Sequence, residues 1–486
     1  MQKHTKKILV TGSSGYIGGR LVPRLLAEGY NVTAVGRRPE FLNFASHPNL
    51  TIDTLDARNP DECMKVIHGH DVVFYLIHSL TESKKFEEIE KETATNIGNA
   101  CYQADIKRII YLGGLGDEDQ LSEHLRSRQA VGKILYKQSQ KNLIEFRASV
   151  IIGSGSLSFE MIRSLTERLP IMLLPKWVRK KSQPISIRTV LDYLVASIDK
   201  PIQGHKVYEI GGKDRVSYHE LMQGYAKQRG LKRLFIPVPV LTPWLSSLWL
   251  GLVTPLYARI GRKLIESIRH ATVVTNNDAL TDFDINPLHY EDALKNALRI
   301  EQENFDHTHW SDAVSSASAV THSEKSFGNR VIDKYSIRIQ ADPEDIFEII
   351  ENIGGKSGWY AFNFLWRLRG LIDKIFGGVG MRIRRPTTTL KPGHIIDWWR
   401  VVGFKKNHYL RLEAEMKLPG RAWLEFEVKV KHGQVRLYQT AIFDPLGLAG
   451  LIYWYSLYPI HYLIFNRMLI NIKSHCELMS RNKLSS

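Results

Sequence analysis

The chain has 486 residues, room for two or three domains at roughly 150 residues each. Its 43% hydrophobic and 24% charged residues exclude wholesale disorder, a collagen-like chain and a polytopic membrane protein. Lys and Arg number 66 against 50 Asp and Glu, a net +16, and from Phe327 onward 24 face 14, a net +10.

In chain order, the first 130 residues alternate apolar strand runs with helical patterns, which argues for βαβ units and a parallel sheet. Strands are read at Ile8 to Thr11, Asn31 to Gly36, Leu50 to Leu55, Asp71 to Ile77 and Arg108 to Leu112. Helices are read at Tyr16 to Glu28, ended by Gly29, then at Asp61 to His68 and Phe86 to Ala104. Further strands follow at Glu145 to Ile152 and near Val207 to Ile210. Residues 301–326 have no sustained apolar period and many turn formers, so they read as a polar linker between a domain over 1–300 and another over 327–480. In the second domain Val331 to Ile339 alternates like a strand and Pro343 to Ile350 reads as a short helix. Strand patterns follow from Ile395 to Ala441, and an apolar helix spans about Leu451 to Ile472.

Cys63, Cys101 and Cys476 are too few and too scattered for a disulfide framework or a metal site, so no metal is expected. With no signal-peptide pattern ahead of the first strand, the expected location is the cytoplasm. Phe235 to Ala258 and Pro445 to Asn466 have the length to span a bilayer, but prolines interrupt both, Pro459 among them. Buried helices or a lipid-touching surface are the expected roles. The basic second half suits acidic headgroups, so peripheral contact with the inner face of an acidic membrane is also expected. No basic block or nucleic-acid motif stands out, and no nucleic-acid partner is expected.

Thr11-Gly12-Ser13-Ser14-Gly15-Tyr16-Ile17-Gly18 sits between the first strand and the first helix. Glycines there let the backbone approach a pyrophosphate at the helix N-terminus. In this strand-to-helix context the motif is a strong dinucleotide signal. At the end of strand two stands Gly36-Arg37-Arg38, where an acidic residue would bind the ribose of NAD. Two guanidiniums suit a 2′-phosphate, so NADP(H) is expected over NAD(H). Asp56, after strand three, falls where an adenine contact is made.

With Asp71-Val-Val-Phe-Tyr-Leu, Asn96-Ile-Gly-Asn-Ala and Lys107-Arg-Ile-Ile-Tyr-Leu, these motifs make the first 300 residues resemble the atypical short-chain dehydrogenase/reductases. Within that family they are most similar to the NmrA-like proteins and the Rossmann-fold accessory subunit of respiratory complex I. The resemblance implies a doubly wound Rossmann sheet, with Ile77 and Lys133 joining the glycine loop in holding the cofactor. It also implies a tyrosine four residues before a lysine. Lys133 fits, but Gln129 holds the tyrosine position and Gly113 or Gly114 the serine position, and glutamine is neither acid nor base. His78, just after strand four, is the substitute proton donor that the residues offer; Tyr111 and Tyr136 are close in sequence.

Residues 327–480 carry Gly354-Gly355-Lys-Ser-Gly-Trp359-Tyr360, Leu365-Trp366-Arg-Leu-Arg369-Gly370 and Asp397-Trp398-Trp399-Arg400-Val401. Ala414 to Gly420 and Tyr453 to His461 complete the set. They resemble a domain of unknown function, similar in layout to the START-like helix-grip (SRPBCC) superfamily. That implies an α+β domain in which a sheet grips a long helix around an apolar cavity. Asp397, Arg400 and Glu415 are candidates to orient a ligand there; alternatively Asp397 and Arg400 form an ion pair.

The leading expectation is an NAD(P)(H)-dependent oxidoreductase or isomerase acting on a hydrophobic molecule such as a quinone or isoprenoid. The competing expectations are a non-catalytic NADP(H) sensor or assembly factor, and a membrane-surface lipid or quinone carrier.

Overall fold

The computed structural model describes residues 6–39, 42, 44–78, 86–116, 123–238, 271–307, 320–327, 330–355, 357–375, 377–380, 390–431 and 434–485. The chain divides into two compact units, one of residues 1–166 and 171–307 and one of 167–170 and 308–486.

In the first unit the order begins β1 (Lys7–Val10), α1 (Gly18–Ala27), β2 (Asn31–Gly36), β3 (Leu50–Thr54), α2 (Pro60–Ile67), β4 (Val72–Tyr75) and α3 (Phe86–Gln103). It continues β5 (Arg108–Gly114), α4 (Glu123–Ser139), β6 (Asn142–Ala148), β7 (Ile151–Ile152), α5 (Leu157–Arg168) and β8 (Ile171–Leu174). After these come β9 (Lys181–Ser182), β10 (Ile185–Ser186), α6 (Ile187–Ala196), β11 (His205–Ile210), β12 (Val216–Ser217) and α7 (Tyr218–Gln228). The unit closes with β13 (Leu234–Pro237), α8 (Asp278–Asp282) and α9 (Tyr290–His307).

Seven strands form one parallel sheet in the order β11-β6-β5-β4-β1-β2-β3. Strand alternation explains its two covered faces. Ile8, Val10, Phe74 and Ile110 pack on one side with α1 and α6 residues such as Leu21 and Val190. Leu9, Val73, Tyr75 and Ile109 pack on the other with α2, α3 and α4 residues such as Ile67, Ile97 and Leu135. The strand order reverses between β1 and β4, and sheets of this kind open a ligand crevice beyond the strand ends at that point. The run Glu145 to Ile152, read as one strand, divides: β6 stops at Ala148, and Ile151–Ile152 pairs with β10 instead.

The second unit contains β14 (Val320–Phe327), β15 (Arg330–Arg338), α10 (Pro343–Glu351), α11 (Asn363–Ile375) and β16 (Ile395–Ile396). Then come β17 (Trp399–Lys405), β18 (Tyr409–Ala414), β19 (Gly420–Lys431), β20 (Gln434–Pro445) and α12 (Gly447–Ser485). Its sheet is antiparallel throughout, in the order β14-β15-β20-β19-β18-β17-β16. Phe465, Met468, Leu469 and Ile472 of α12 join Tyr335, Leu437 and Phe426 of the sheet in one core.

The linker expected over 301–326 overlaps α9 at one end and β14 at the other, while 308–319 lie outside the described residues. The edge strand β14 reads Val-Thr-His-Ser-Glu-Lys-Ser-Phe, and main-chain pairing with β15 needs no apolar alternation. Pro459, read as a breaker, lies inside the 39-residue α12. Of the other uncharged stretch, everything after Val238 lies outside the described residues. Among the described residues no helix is long and apolar enough to cross a membrane.

Candidate functional site

After β1 the chain is tied down on both sides. Thr11 Oγ1 donates to the Phe74 carbonyl at 2.9 Å and accepts from the Leu76 N–H at 3.2 Å. Ser13, expected to touch cofactor, is buried; it donates to the Val10 carbonyl at 2.7 Å and accepts from the Val35 N–H at 3.2 Å. Gly12 has φ +68°, and a Cβ there would lie 2.6 Å from the Leu76 carbonyl oxygen; at Gly18 a Cβ would lie 2.4 Å from that of Gly12. The result is a backbone cradle with no room for side chains at the start of α1, which no side chain caps. A pyrophosphate fits such a place: close backbone, a helix N-terminus and no competing carboxylate cap.

The cradle opens into a cavity of ≈ 440 Å³ lined by Gly12, Ser14, Gly15, Tyr16, Ile17 and Gly18. Past β2 and β3 it is lined by Arg37, Asp56 and Arg58; on the β4 and β5 side by Ile77, His78, Gly113, Gly114 and Arg128. The Asp56 carboxylate accepts from the Arg58 N–H at 3.1 Å, and the Arg58 guanidinium lies 3.3 Å from Glu92. Arg38 does not line the cavity. Tyr16 is packed against Gly153, with Arg20 over its ring at 4.0 Å, and burial pushes its hydroxyl up to about 12.

His78 stands in a built array. Its Nδ1 lies 2.9 Å from Oε1 of Glu90, whose side chain is 2% exposed, and Ser127 Oγ donates to the other carboxylate oxygen at 2.6 Å. Burial alone would raise the Glu90 carboxyl. The His78 hydrogen bond, the Arg128 charge and the Ser127 hydroxyl outweigh it and hold the group at about 2. An ionised carboxylate only accepts, so His78 Nδ1 carries a hydrogen. The Arg128 guanidinium donates to the carbonyls of Ile77 and Leu112, fastening α4 beneath the same corner.

Lys133 and Gln129 are not where the resemblance put them. On α4 the sheet-facing row is Arg128, Gly132, Leu135 and Ser139, while Lys133 is exposed with Arg126, Ala130 and Lys137. Gln129 is buried off the cavity, donating to the Gly116 carbonyl at 3.2 Å. The pair four apart that faces the sheet is Arg128 and Gly132, one position earlier than the expected pair. Tyr111 is also buried, its hydroxyl donating to the Arg128 carbonyl at 2.7 Å, and Tyr136 lies against His205. Glu90, Ser127, Arg58 and Arg128 were missed. For Glu90, Ser127 and Arg128 the one sequence signal is the helical phase of α3 and α4; Arg58, between β3 and α2, carries none.

The second unit holds a separate cavity of ≈ 230 Å³, walled by residues that include Trp366, Trp398, Trp399, Phe443, Trp454 and His461. None of the three expected polar residues lines it. Asp397, buried at φ +55°, accepts from the Trp359 indole at 2.8 Å. Arg400 is exposed and pairs with Glu415, Nε to Oε1 2.6 Å, not with Asp397. In β17 the side chains alternate, so Trp399 and Val401 point inward and Arg400 outward. Among the described residues no group of His, Cys, Asp and Glu is placed to hold a metal ion.

Residues 328–468 match a family described only as a protein of unknown function (DUF2867), and residues 12–149 match one described as NAD(P)H-binding. A ceramide reductase of Caulobacter vibrioides is 22% identical over 235 residues, 48% of this chain and 73% of that protein. A 3-beta-hydroxysteroid dehydrogenase of Mycolicibacterium neoaurum is 30% identical over 115 residues, 22% of this chain; the match spans 31% of that enzyme's length. Among solved structures, a triphenylmethane reductase of Citrobacter sp. is similar in fold, with TM-score 0.51 and 16% identity over 60% of this chain and 99% of that one. The parallel sheet with its strand-order reversal, the glycine cradle and the match over residues 12–149 agree: the first unit has a Rossmann-like fold, and its residues 12–149 are similar to a family described as NAD(P)H-binding.

Proposed function

We propose that the first unit is an NADP(H)-dependent oxidoreductase for a hydrophobic carbonyl compound, of the quinone or oxygenated isoprenoid class, with His78 as its proton donor. The observation that carries this is the His78–Glu90–Ser127 array, whose imidazole lines the cavity. Bound in the cradle, the cofactor supplies the hydride that a carbonyl carbon gains in the reducing direction. The chain supplies the proton: Glu90 orients the imidazole through Nδ1 and steadies its charged form, and Nε2 protonates the carbonyl oxygen. Ser127 satisfies the second Glu90 oxygen and keeps the carboxylate in place. The likeness to proteins named as a steroid dehydrogenase and a ceramide reductase supports an apolar substrate.

Arg37 on the cavity wall supports NADP(H) over NAD(H), since a guanidinium there suits a 2′-phosphate. Arg37→Ala is expected to weaken NADPH binding roughly 10- to 100-fold, the size of a lost charge-assisted hydrogen bond, and to leave NADH within about twofold. Calorimetric titration of both nucleotides checks it. Equal loss for both would overturn the NADP(H) preference.

For the second unit, the succession of one strand, two helices, five strands and a long helix from β15 to α12 supports a helix-grip domain. A second reading, contact with an acidic membrane surface, is favoured by α11. Phe364, Leu371 and Ile375 on it are 63%, 58% and 73% exposed, and Arg367 and Lys374 are exposed beside them. An apolar face edged by cations suits the headgroup boundary. Vesicles of phosphatidylserine and phosphatidylcholine should carry the protein upward in a density gradient, and Phe364→Glu with Ile375→Glu should abolish this. Flotation that ignores both substitutions removes α11 as the contact.

A further inference from the structure

The cavity of the second unit is mostly apolar, yet several of the side chains around it carry buried polar atoms without partners. Trp398, Trp399 and Trp454 are 0%, 6% and 3% exposed, and the indole N–H of each has no hydrogen-bond partner. Nδ1 of His461 is likewise buried and unpartnered, and burial lowers this imidazole to about 4, so it is neutral near pH 7. Gln439, 0% exposed, lies two residues before the cavity-lining Ala441 on β20, so the two share a strand face; neither of its amide atoms has a partner. Folded proteins rarely leave buried polar groups unpaired, and a cluster of them on one cavity marks a place where something else supplies the partners.

The chemistry of the wall narrows what that is. An indole N–H donates and never accepts, so the complement is an acceptor oxygen. The neutral imidazole offers no charge to balance an anion, and the Arg369 guanidinium, which also lines the cavity, donates to the Lys417 carbonyl at 3.3 Å. The flat faces also suit rings: Trp366 lies stacked on Trp398 at 5.9 Å between centroids, and Phe443 on Trp454 at 5.5 Å and 11°. At ≈ 230 Å³ the space is below the roughly 300–1,000 Å³ of drug-sized sites, which fits a small ring system. Leu368 and Ile460 on its wall are 50% and 43% exposed, giving an apolar tail a way out.

We infer that this cavity binds an uncharged ring compound bearing one or two carbonyl oxygens, a quinone or cyclic ketone headgroup, with the indole N–H groups donating to those oxygens. The inference rests on the second unit alone and stands whether or not the first unit turns over substrate.

The test is calorimetric titration of the full chain, without nucleotide, using 1-tetralone and the matched hydrocarbon tetralin. Saturable 1-tetralone binding tighter than that of tetralin is expected. Trp454→Phe and Trp398→Phe each keep a ring and remove one N–H. Each should weaken 1-tetralone roughly 3- to 10-fold while tetralin is unchanged. Ala441→Phe, which fills the cavity, should abolish binding of both compounds. NADPH affinity should be the same in every variant, which separates a failure here from a failure of the first unit. Melting curves identify folded variants, and Trp399→Phe replaces either tryptophan variant that does not fold. Absence of saturable 1-tetralone binding, equal affinity for tetralin, or indifference to the Trp→Phe changes in folded protein each overturns the inference.

Discussion

His78→Gln is expected to lower NADPH-dependent reduction of a quinone such as menadione by roughly 10²- to 10⁴-fold, the usual contribution of a positioned general acid. NADPH affinity should stay within about twofold, because the cradle expected to hold the nucleotide is built from the backbone of Gly12 to Gly18. Glu90→Gln should cost less, about 10- to 100-fold, since the amide still reaches Nδ1 but no longer balances an imidazolium. Glu90 also has a stability signature. Its native carboxyl is held at about 2, below the ordinary 4.5, so its contribution is present above about pH 4.5 and is lost as pH falls towards 2. Melting temperatures measured from pH 5 to pH 2 should therefore fall less steeply in Glu90→Gln than in the natural chain. Undiminished turnover in His78→Gln would sink the proton-donor role. Tight NADPH binding with no oxidation by any quinone or ketone would favour the sensor reading instead.

The parts of this site legible in the sequence were those a local backbone rule dictates. Gly18 is required by a contact six residues back along the chain and Gly12 by one with Leu76 at the end of the neighbouring β4, so the motif and its place after β1 were enough to find the cradle. His78 was found for the same reason: it follows β4 directly, where the sheet opens. Its partners were not legible. Glu90 lies 12 residues away across a segment outside the described residues, and Ser127 lies 37 beyond that, on a different helix. Only the packing of α3 against α4 brings them together. Spacing without phase misled at Lys133, where a four-residue interval matched the family pattern on the exposed face of α4. Alternation was the missing information at Arg400, whose apolar neighbours on β17 point the other way. Nothing in the sequence sets Trp398, Trp399 and Trp454 apart from packed core, because the missing partners of their N–H groups depend on the fold.

Gly132→Ala is expected to destabilise the first unit by about 3–5 kcal/mol, more than an ordinary helix substitution that would gain from alanine's propensity. A Cβ at Gly132 would lie 1.9 Å from Oε2 of Glu145. That carboxylate cannot swing aside: it is 0% exposed, with Arg147 Nε at 2.7 Å from one oxygen and His205 Nε2 at 3.0 Å from the other. Making room means breaking a buried pair, which leaves Arg147, itself 8% exposed, without its anion. Gly19→Ala is the control, since its Cβ would meet nothing closer than 3.5 Å. Adding Glu145→Ala to Gly132→Ala should cost less than the two single changes together, because one substitution removes the atom that the other strikes. Urea denaturation of the four proteins measures this. Additive costs would mean that the clash is relieved elsewhere. The same contact explains why the family's tyrosine and lysine cannot be restored here. The sheet-facing position four after Arg128 is filled by the Glu145 carboxylate, and Gln129→Tyr would place its ring off the cavity. The proposed proton transfer therefore falls to a group on the β4 side, where His78 lines the cavity.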